Sequence, residues 1–482
     1  MKHVNNNHLS RTVLHKTPTF LVCALVVAIL VPTALYPQVT SEEGAQEAEL
    51  TPAAPAAPPA TPSQLEEWRD TLRFGINTAV AELLPRLTRE RRDELAPDVV
   101  DLFNMSNDRA VLQGAAEYLR ELEISDGHDR AFDLLREYFA RPSELITIVL
   151  HYLRETEAEP DEEIREILVE MSRMMPPIRG MAAVRYFSSA GAKIEELLEL
   201  YHEAGIPEDV QGQILVELGS RGDPRAFEFV AEIIGEDEQA TTALQRFAID
   251  TLGRLGDERA IPLILRQLDS SEAMTRAYAV NALTSFDTAE TNRALLASLR
   301  DPFWRVRIAA LRTVGERRMT DAVPAVLYMM RRDPERPVRL EAIRTVGELD
   351  DPDAWESLLE RMADRRGNVE ERSAMIDVAL RAASERAVPV VTEIVQHEWD
   401  TANSRILDTI GRTVSTMEDR AVAPVVEQLL NHPNYVIQMY GARAAGRNGL
   451  RQYSEVLETL KEEGAHRLIR DTAGEALQRL GR

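Results

Sequence analysis

Apolar residues along most of this chain recur every three or four positions, in short blocks separated by polar turns. One block carries Val306, Ala310, Leu311 and Val314 on a single helical face. Such spacing predicts an amphipathic helix with a buried stripe. Gly315 follows the stripe, and we expect it to end the helix in a left-handed conformation.

The next block has the same period and a clear helix start. Asp321 is expected to cap the N-terminus, and Pro324 fits the first turn, where a helix needs no backbone N–H. Val326 and Met330 continue the buried stripe. Alternation of apolar and polar residues, which is typical of strands, is scarce. The two blocks together predict a unit of two helices, and the chain beyond its first 63 residues is predicted to be all-α.

Glycines recur at the end of the first helix of each unit with a nearly fixed period. They are Gly219, Gly253, Gly315, Gly347, Gly411 and Gly446. Their spacings are 34, 62, 32, 64 and 35 residues, so two of the gaps are double. A second series keeps the same period: Pro262, Pro324, Pro389 and Pro424. Units this short cannot bury their apolar faces alone, so the period predicts an α-solenoid of stacked antiparallel helix pairs.

The polar turns carry recurrent Asp, Pro and Arg residues. The copies are Gly222-Asp-Pro-Arg-Ala226, Gly256-Asp-Glu-Arg-Ala-Ile-Pro262, Asp301-Pro-Phe-Trp-Arg-Val-Arg307, Val338-Arg-Leu-Glu-Ala-Ile-Arg-Thr-Val-Gly347 and Asp419-Arg-Ala-Val-Ala-Pro424. This pattern resembles HEAT repeats of the short bacterial, bilin-lyase-like form. The resemblance implies a HEAT-like superhelix, with degenerate helical repeats at 64–212 and regular repeats with a C-terminal capping helix at 213–482. We expect roughly a dozen helix pairs in one continuous array.

An uncharged apolar run occupies residues 19–36, near the N-terminus. A run of that length can span a bilayer as one helix. Lys2, Arg11 and Lys16 precede it, and the positive-inside rule then places the N-terminus in the cytoplasm. The solenoid is therefore expected on the extracytoplasmic, periplasmic side of a bacterial cell membrane.

Three segments are predicted before the solenoid. They are a cytoplasmic tail at 1–17, a transmembrane signal-anchor helix at 18–37, and an acidic, then Ala/Pro-rich, disordered linker at 38–63. The proline-rich part of the linker favours an extended polyproline conformation, which would hold the solenoid away from the bilayer. Cleavage at the small residues Val39-Thr-Ser41 is the alternative, and it would yield a secreted protein.

Residue patterns that carry catalysis are almost absent. Two dipeptides, His202-Glu203 and His397-Glu398, resemble the iron-binding pairs of deoxyhypusine hydroxylase, but that HEAT-like family needs four pairs on facing helices. The single cysteine, Cys23, lies within the predicted anchor. The sequence therefore predicts no enzyme, no metal site and no cofactor. A HEAT-like enzyme of the bilin-lyase or metal-dependent hydroxylase type is the alternative.

The charge distribution constrains the kind of partner. A formal net charge of −24 argues against general nucleic-acid binding, because phosphate repels an acidic surface. Residues 300–345 are an exception, with 11 arginines against 6 acidic residues; we call them the basic segment. An anion- or nucleic-acid-binding module acting through this segment is a further alternative.

Two sets of arginines in the basic segment have different expected roles. One set lies at helix ends and loops and is a candidate site for an acidic partner: Arg317, Arg318, Arg331, Arg332 and Arg336. In the other set, Arg307 and Arg339 each follow an aspartate by six residues, which suits a structural ladder between repeats. The members of the ladder are Asp301, Arg307, Asp333 and Arg339.

The concave face of a solenoid is its usual binding surface. Aligning the second helices of the units predicts one row of residues that points into this groove. The row consists of Glu232, Arg266, Ala297, Tyr328, Glu360, Glu393 and Gln428. Its signs are mixed, which suits a protein or peptide partner better than a polyanion. The sequence therefore predicts a non-enzymatic, membrane-tethered scaffold or adaptor.

Overall fold

The computed structural model describes residues 60–141, 143–235 and 240–481. Over these ranges the regular structure consists of 25 α-helices and seven short 3₁₀ turns, without a strand. None of the described helices is both long and apolar enough to cross a membrane. The predicted anchor at 18–37 and most of the linker lie outside the described residues.

The helices form two rows, and consecutive helices alternate between them. In one row, which we call the close-packed row, each helix packs along much of its length against the next member. Its members are α2 (Asn77–Arg89), α4 (Arg109–Glu121), α6 (Glu144–Glu155), α8 (Pro177–Ser189), α10 (Glu208–Arg221), α12 (Thr242–Leu255), α14 (Ala273–Ala282), α16 (Trp304–Glu316), α18 (Arg336–Leu349), the first part of α20 (Val369–Glu398), α21 (Arg405–Thr416), α23 (Tyr435–Arg447) and α25 (Arg467–Arg479).

The second row is more widely spaced, and neighbouring helices within it touch at only a few points. The members of this open row are α1 (Pro62–Phe74), α3 (Ala96–Met105), α5 (His128–Tyr138), α7 (Glu162–Ser172), α9 (Ile194–His202), α11 (Phe227–Gly235), α13 (Ile261–Gln267), α15 (Ala289–Ser298), α17 (Val323–Arg332), α19 (Pro352–Ala363), the part of α20 after its bend at Ala383, α22 (Ala423–Leu430) and α24 (Ser454–Glu463). Because the helices of the close-packed row lie nearer to one another, this row forms the inner side of the stack.

Each repeat consists of an open-row helix followed by a close-packed helix. α17, for example, packs extensively on α18, which follows it after three residues, and has few contacts with the preceding α16. The sequence-based unit, which joined the helix of 306–314 to the helix beginning near Asp321, was therefore wrong by one helix. The short connection explains the difference, because it leaves α17 and α18 no alternative to antiparallel packing.

The repeating glycines have a different role from the predicted one. Gly315 lies within α16 and has no left-handed conformation; the expectation that it ends the helix was wrong. The glycines instead let successive close-packed helices approach: a Cβ atom at Gly253 would lie 2.8 Å from Ala282 Cα, and one at Gly446 would lie 2.8 Å from Ala476 Cα.

The left-handed residue that ends these helices comes three positions after the repeating glycine. Gly222, Gly256 and Gly449 have φ values of 63°, 65° and 62°. Arg318 and Asp350 adopt φ values of 49° and 47° at the equivalent positions of their repeats. The left-handed stop is thus kept in these repeats even where the residue is not glycine, whereas α21, which carries Gly411, ends at Thr416 without one.

Buried tyrosines connect the repeats between α4 and α8. Tyr118, Tyr152 and Tyr186 are at most 1% exposed, and successive members lie one repeat apart. The Tyr118 hydroxyl donates a hydrogen bond to the Arg92 carbonyl, in the loop that follows the preceding close-packed helix. Tyr152 and Tyr186 donate to equivalent loop carbonyls at 2.8 Å and 3.1 Å. The N-terminal repeats that the sequence marked as degenerate thus have a regular contact of their own.

Candidate partner-binding surface

The exposed side of the close-packed row consists of the helical positions that neighbouring helices leave free. The repeating glycines mark an equivalent position in each close-packed helix, which we call the glycine register. The residue three positions before it is partly or fully exposed in every close-packed helix from α10 to α25. We call this line the inner strip: Val216, Asp250, Asn281, Arg312, Arg344, Asp377, Asp408, Arg443 and Glu475. A second line follows the glycine register by one residue, and its last four members are all arginines: Arg381, Arg412, Arg447 and Arg479.

Charged groups along the middle of this surface are mostly paired with opposite charges. Arg344 Nη2 lies 2.6 Å from Glu341 Oε1, and Arg381 Nε lies 3.1 Å from Asp377 Oδ1. Both arginine side chains are more than a third exposed, so water screens the pairs and each stabilises the fold only slightly. The pairs leave a hydrated surface with both signs of charge.

Asp408 links two neighbouring helices of the same surface. Arg412 Nη2 lies 2.5 Å from one carboxylate oxygen, and the Tyr440 hydroxyl donates to the other at 2.8 Å. Burial, together with the hydrogen bond to Asp408, raises the pKa of Tyr440. Coulombic attraction by the same carboxylate raises the pKa of Arg412. The hydroxyl is therefore a proton donor throughout the neutral range.

Arginines collect in a cleft at the C-terminal end of the inner strip. The cleft has a volume of about 230 Å³ and is lined by Ser415 of α21, by two residues of α23 and by four of α25. We call it the arginine cleft: Ser415, Arg443, Arg447, Thr472, Glu475, Ala476 and Arg479. Three positive charges thus meet one negative charge, which reverses the balance of the chain as a whole.

Arg307, one of the residues expected in a ladder, pairs forward along the chain with the aspartate of the next repeat. Arg307 Nε and Nη2 donate to both carboxylate oxygens of Asp333, at 2.8 Å and 2.7 Å. Its Nη1 donates to the backbone carbonyl of Asp301, at 2.9 Å, in its own repeat. Each ladder arginine therefore joins its own turn to the turn of the next repeat.

The same contact recurs on both sides of Arg307. Arg276 donates to both carboxylate oxygens of Asp301, and Arg339 donates to Glu371 at 2.8 Å. Burial acts to raise the pKa of Asp301, but hydrogen bonds from Arg276 and from the Phe303 N–H outweigh it and hold that pKa below its ordinary value. The Asp301 carboxylate is accordingly charged at neutral pH.

The candidate arginines of the basic segment do not form one site. Arg317 and Arg318 follow α16 at one edge of the stack, whereas Arg331, Arg332 and Arg336 lie around the turn from α17 to α18 at the other edge. The ten residues of α17 separate the two groups by about 15 Å. The five arginines therefore form two groups and no single cluster, and their role in binding an acidic partner stays a prediction.

Several of these arginines are already engaged within the fold. The Arg317 side chain is only 10% exposed and binds Asp287 and Asn292 of the preceding repeat. Arg336 pairs with Glu370, and Arg331 donates to the backbone carbonyl of its own helix. Arg318 and Arg332 are exposed, and no other described residue binds their side chains.

The residues predicted to line the groove belong to the open row. The set Glu232, Arg266, Ala297, Tyr328, Glu360, Glu393 and Gln428 lies on α11, α13, α15, α17, α19, the second part of α20 and α22. Most of these side chains are exposed, and Tyr328 is 65% exposed. Their predicted concave position was wrong, because the repeat pattern does not reveal which row lies inside. Their role in binding a partner stays a prediction.

The two His-Glu dipeptides take part in packing and ion pairs. The ring of His202 contacts the edges of Tyr201 and Phe229, and Glu203 pairs with Arg173. Glu398 accepts a hydrogen bond from the Ser404 hydroxyl at 2.9 Å. Across the described ranges, no group of three or more His, Cys, Asp or Glu side chains is arranged to hold a metal ion.

A family profile described as "Spirochaete HEAT repeat protein" matches residues 72–476. The chain belongs to this family. The match extends from the end of α1 into α25, and it confirms the HEAT-like solenoid. A comparison with curated protein sequences found no match.

Solved HEAT-like structures are similar only in fold. The CpcE–CpcF phycocyanin lyase complex of Nostoc is 16% identical over 49% of this chain and 94% of that chain, with a TM-score of 0.31. Yeast importin-β, Kap95p, is 12% identical over 86% of this chain and 65% of its own, with a TM-score of 0.47. Human deoxyhypusine hydroxylase is 18% identical over 55% of this chain and 99% of its own, with a TM-score of 0.25. The chain spans less than two thirds of importin-β and 53% of the karyopherin Kap121p.

Proposed function

We propose that this family member is a non-enzymatic scaffold or adaptor that binds a protein or peptide partner on the inner face of its solenoid. The observation that carries the proposal is the inner strip, a line of partly or fully exposed side chains on successive close-packed helices that is polar or charged from Asp250 onward. Its charged members are of both signs, with Arg312 and Arg344 followed by Asp377 and Asp408 and then by Arg443 and Glu475. A partner that is itself a protein can match such a surface, whereas a uniform polyanion would require a uniformly basic one.

Its individual charges are available to a partner at small energetic cost. The Arg381–Asp377 and Arg412–Asp408 pairs are formed within single helices by side chains that are between 41% and 69% exposed. Pairs this exposed contribute little to folding stability. Exchanging them for contacts with a partner therefore leaves the solenoid intact.

The N-terminal segments support a tethered form of the scaffold. The apolar run of 19–36, with basic residues before it, favours an uncleaved anchor at 18–37, and the proline-rich linker would then extend the solenoid into the extracytoplasmic space. A phosphatase reporter fused after the last residue should be active outside the cytoplasm and remain with membranes. An inactive reporter would overturn this topology, and a soluble active one would favour cleavage and secretion.

Partner capture from intact cells tests the assignment of the inner face. We expect Arg381→Ser combined with Arg412→Ser to reduce cross-linking to the partner. The loss should be larger at low than at high salt, because salt screens the attraction between these exposed arginines and acidic groups of the partner. The matched control combines Arg318→Ser with Arg332→Ser, which removes the same charge from the edges of the stack. Both variants should keep the helical circular dichroism of the natural chain.

The opposite result would relocate the binding surface. If the control variant lost capture and the inner variant kept it, the inner face would be excluded and the edges of the basic segment would be the site. If both variants captured the partner as the natural chain does, charge would have no part in recognition, and the mixed-charge argument for the inner strip would fail.

A further inference from the structure

The arginine cleft departs from the pairing that the rest of the inner surface shows. On α18, α20 and α21, each arginine of this surface has an acidic neighbour on its own helix. Arg443 and Arg479 have neither an ion pair nor a hydrogen bond with any other described side chain. Arg447 pairs at 3.4 Å with Glu418, whose side chain is 78% exposed. Three arginines share only one lining carboxylate, Glu475, so they repel one another, and an anion in the cleft would relieve the repulsion.

The shape of the cleft concentrates this charge. Its walls come from three successive close-packed helices, so that Arg443 and Arg447 project from α23 while Arg479 projects from α25. Ser415 and Thr472, both buried, form polar parts of the wall. A volume of about 230 Å³ holds a small polyatomic anion together with part of the molecule that carries it. Guanidinium groups suit such ligands, because their planar N–H donors match two oxygens at once.

We propose that the arginine cleft binds a compact, doubly charged oxyanion, of which a phosphate monoester is the common biological form. The three arginines and Glu475 that line the cleft carry a net charge of +2, which a dianion neutralises. A singly charged carboxylate would leave half of that charge uncompensated. The proposal does not depend on the scaffold function, since it rests on the cleft alone.

Titration of the full-length chain with inorganic phosphate, by calorimetry at constant ionic strength, tests this site. We expect saturable binding of one phosphate per chain, stronger at pH 7.5 than at pH 5.5, because phosphate gains its second charge near neutrality. Arg443→Gln combined with Arg479→Gln should weaken binding roughly tenfold or more. Glu475→Gln should strengthen it, since that change removes the one negative charge in the cleft.

The control carries the same charge change on the same part of the solenoid. Arg405→Gln combined with Arg467→Gln removes two exposed arginines from the N-terminal ends of α21 and α25, whereas the cleft residues of these helices lie toward their C-terminal ends. This variant should leave phosphate binding unchanged. Equal weakening in both double variants would reduce the effect to diffuse electrostatics and overturn the proposal. Absence of saturable binding to the natural chain would overturn it as well.

A second arm identifies the source of the phosphate group. A phosphoserine peptide and inorganic phosphate should compete for the same cleft, and both should lose affinity in the Arg443→Gln, Arg479→Gln variant. Tighter binding of the peptide would assign the site to a phosphorylated partner protein, whereas equal affinities would assign it to a small phosphate compound. A peptide that binds without displacing phosphate would contradict the assignment of the cleft to phosphate monoesters.

Discussion

The repeats between α4 and α8 and those between α14 and α20 share one helical architecture but join their neighbours with different polar groups. In the first set, the neutral hydroxyls of Tyr118, Tyr152 and Tyr186 donate to loop carbonyls of the preceding repeat. In the second set, the ladder arginines bind carboxylates of the following repeat, as Arg307 binds Asp333. The two kinds of contact also lie on opposite edges of the stack, since the tyrosines reach the loops after close-packed helices and the arginines reach the turns before them.

This difference shows that the repeat specifies a contact between neighbours without specifying its chemistry. A buried tyrosine adds apolar area and one neutral hydrogen bond, so its contribution is nearly independent of salt. A buried arginine–carboxylate pair joins three segments at once, but it depends on both groups staying charged. The two regions should therefore respond differently to substitution and to pH.

The largest effect is expected where one charge of a buried pair is removed. Arg307→Met leaves the Asp333 carboxylate, whose side chain is 6% exposed, without its partner, and should lower the free energy of unfolding by about 3 kcal/mol. Hydrogen exchange should show this loss in α16 to α18 and leave α4 to α8 protected, because repeats contact only their neighbours. The control is Arg305→Met, at an exposed position of the same helix. Uniform loss of protection over all repeats would contradict a linear array.

A smaller effect is expected from closing the space that a glycine provides. Gly253→Ala would place a methyl group 2.8 Å from Ala282 Cα, so one helix must shift, at a cost of roughly 1–3 kcal/mol. Gly474→Ala is the matched control: it lies within α25, nothing approaches its Cβ position, and alanine there should stabilise the helix by about 0.5–1 kcal/mol. Thermal unfolding of both variants checks the pair, and a stabilising Gly253→Ala would exclude close approach as the reason for that glycine.

The tyrosine contact should be weaker than the ladder. Tyr152→Phe keeps the buried ring but removes the hydroxyl that donates to the Ile124 carbonyl and accepts from the Gly127 N–H. We expect a loss of roughly 1–2 kcal/mol, confined to α4 to α6. Tyr328→Phe, at an exposed position, should have no measurable effect. A loss for Tyr152→Phe as large as that for Arg307→Met would remove the proposed difference between the two regions.

Extremes of pH should open the two regions in opposite order. The pKa of Asp301 is lowered in the folded chain, so its contribution is present above the ordinary aspartate pKa and is lost as pH falls through the folded value. Burial raises the pKa of Tyr152 to about 12, so the unfolded chain loses this proton first and stability falls between about pH 10 and 12. Pulsed hydrogen exchange at one fixed pH, after incubation in acid or alkali, should show α14 to α16 opening first in acid and α4 to α6 first in alkali. The same order at both extremes would refute the assignment.

Much of the fold is predictable because helical periodicity is a local property. The apolar stripe from Val306 to Val314 lies on α16 and the next stripe lies on α17, with Leu311 and Val326 fully buried. Asp321 lies in a 3₁₀ turn before α17 and does not cap that helix, so the predicted cap was wrong. The Arg307–Asp333 contact was also within reach, since a six-residue spacing between Asp and Arg recurs at the same place in consecutive repeats. The tyrosines at 118, 152 and 186 carried an equally regular signal, because they recur at the period of the glycines; it was missed because those repeats lack the Asp-Pro-Arg motif.

The binding surface was less predictable. The sequence placed the groove on residues such as Tyr328 and Glu360, which lie on the open row, and it grouped Arg317 with Arg332 across the length of a helix. Applying the same register to the other helix of each repeat would have found the line Arg381, Arg412, Arg447 and Arg479. Nothing in the sequence favoured that helix, because both helices of a repeat have one buried and one exposed face.

Sequence by itself determined the helices, their repetition in an array and the residues available for contacts between repeats, because these follow from spacings within one or two units. Tertiary structure decided which row lies inside, why Gly253 and Gly446 are glycines, and that Arg443 and Arg479 line one cleft. Those features depend on how closely successive helices approach, and the approach is set by the combined size of side chains from neighbouring repeats. A pattern along the chain shows which face of a helix is buried, but the side toward which a stack of helices bends emerges only when all of the contacts form together.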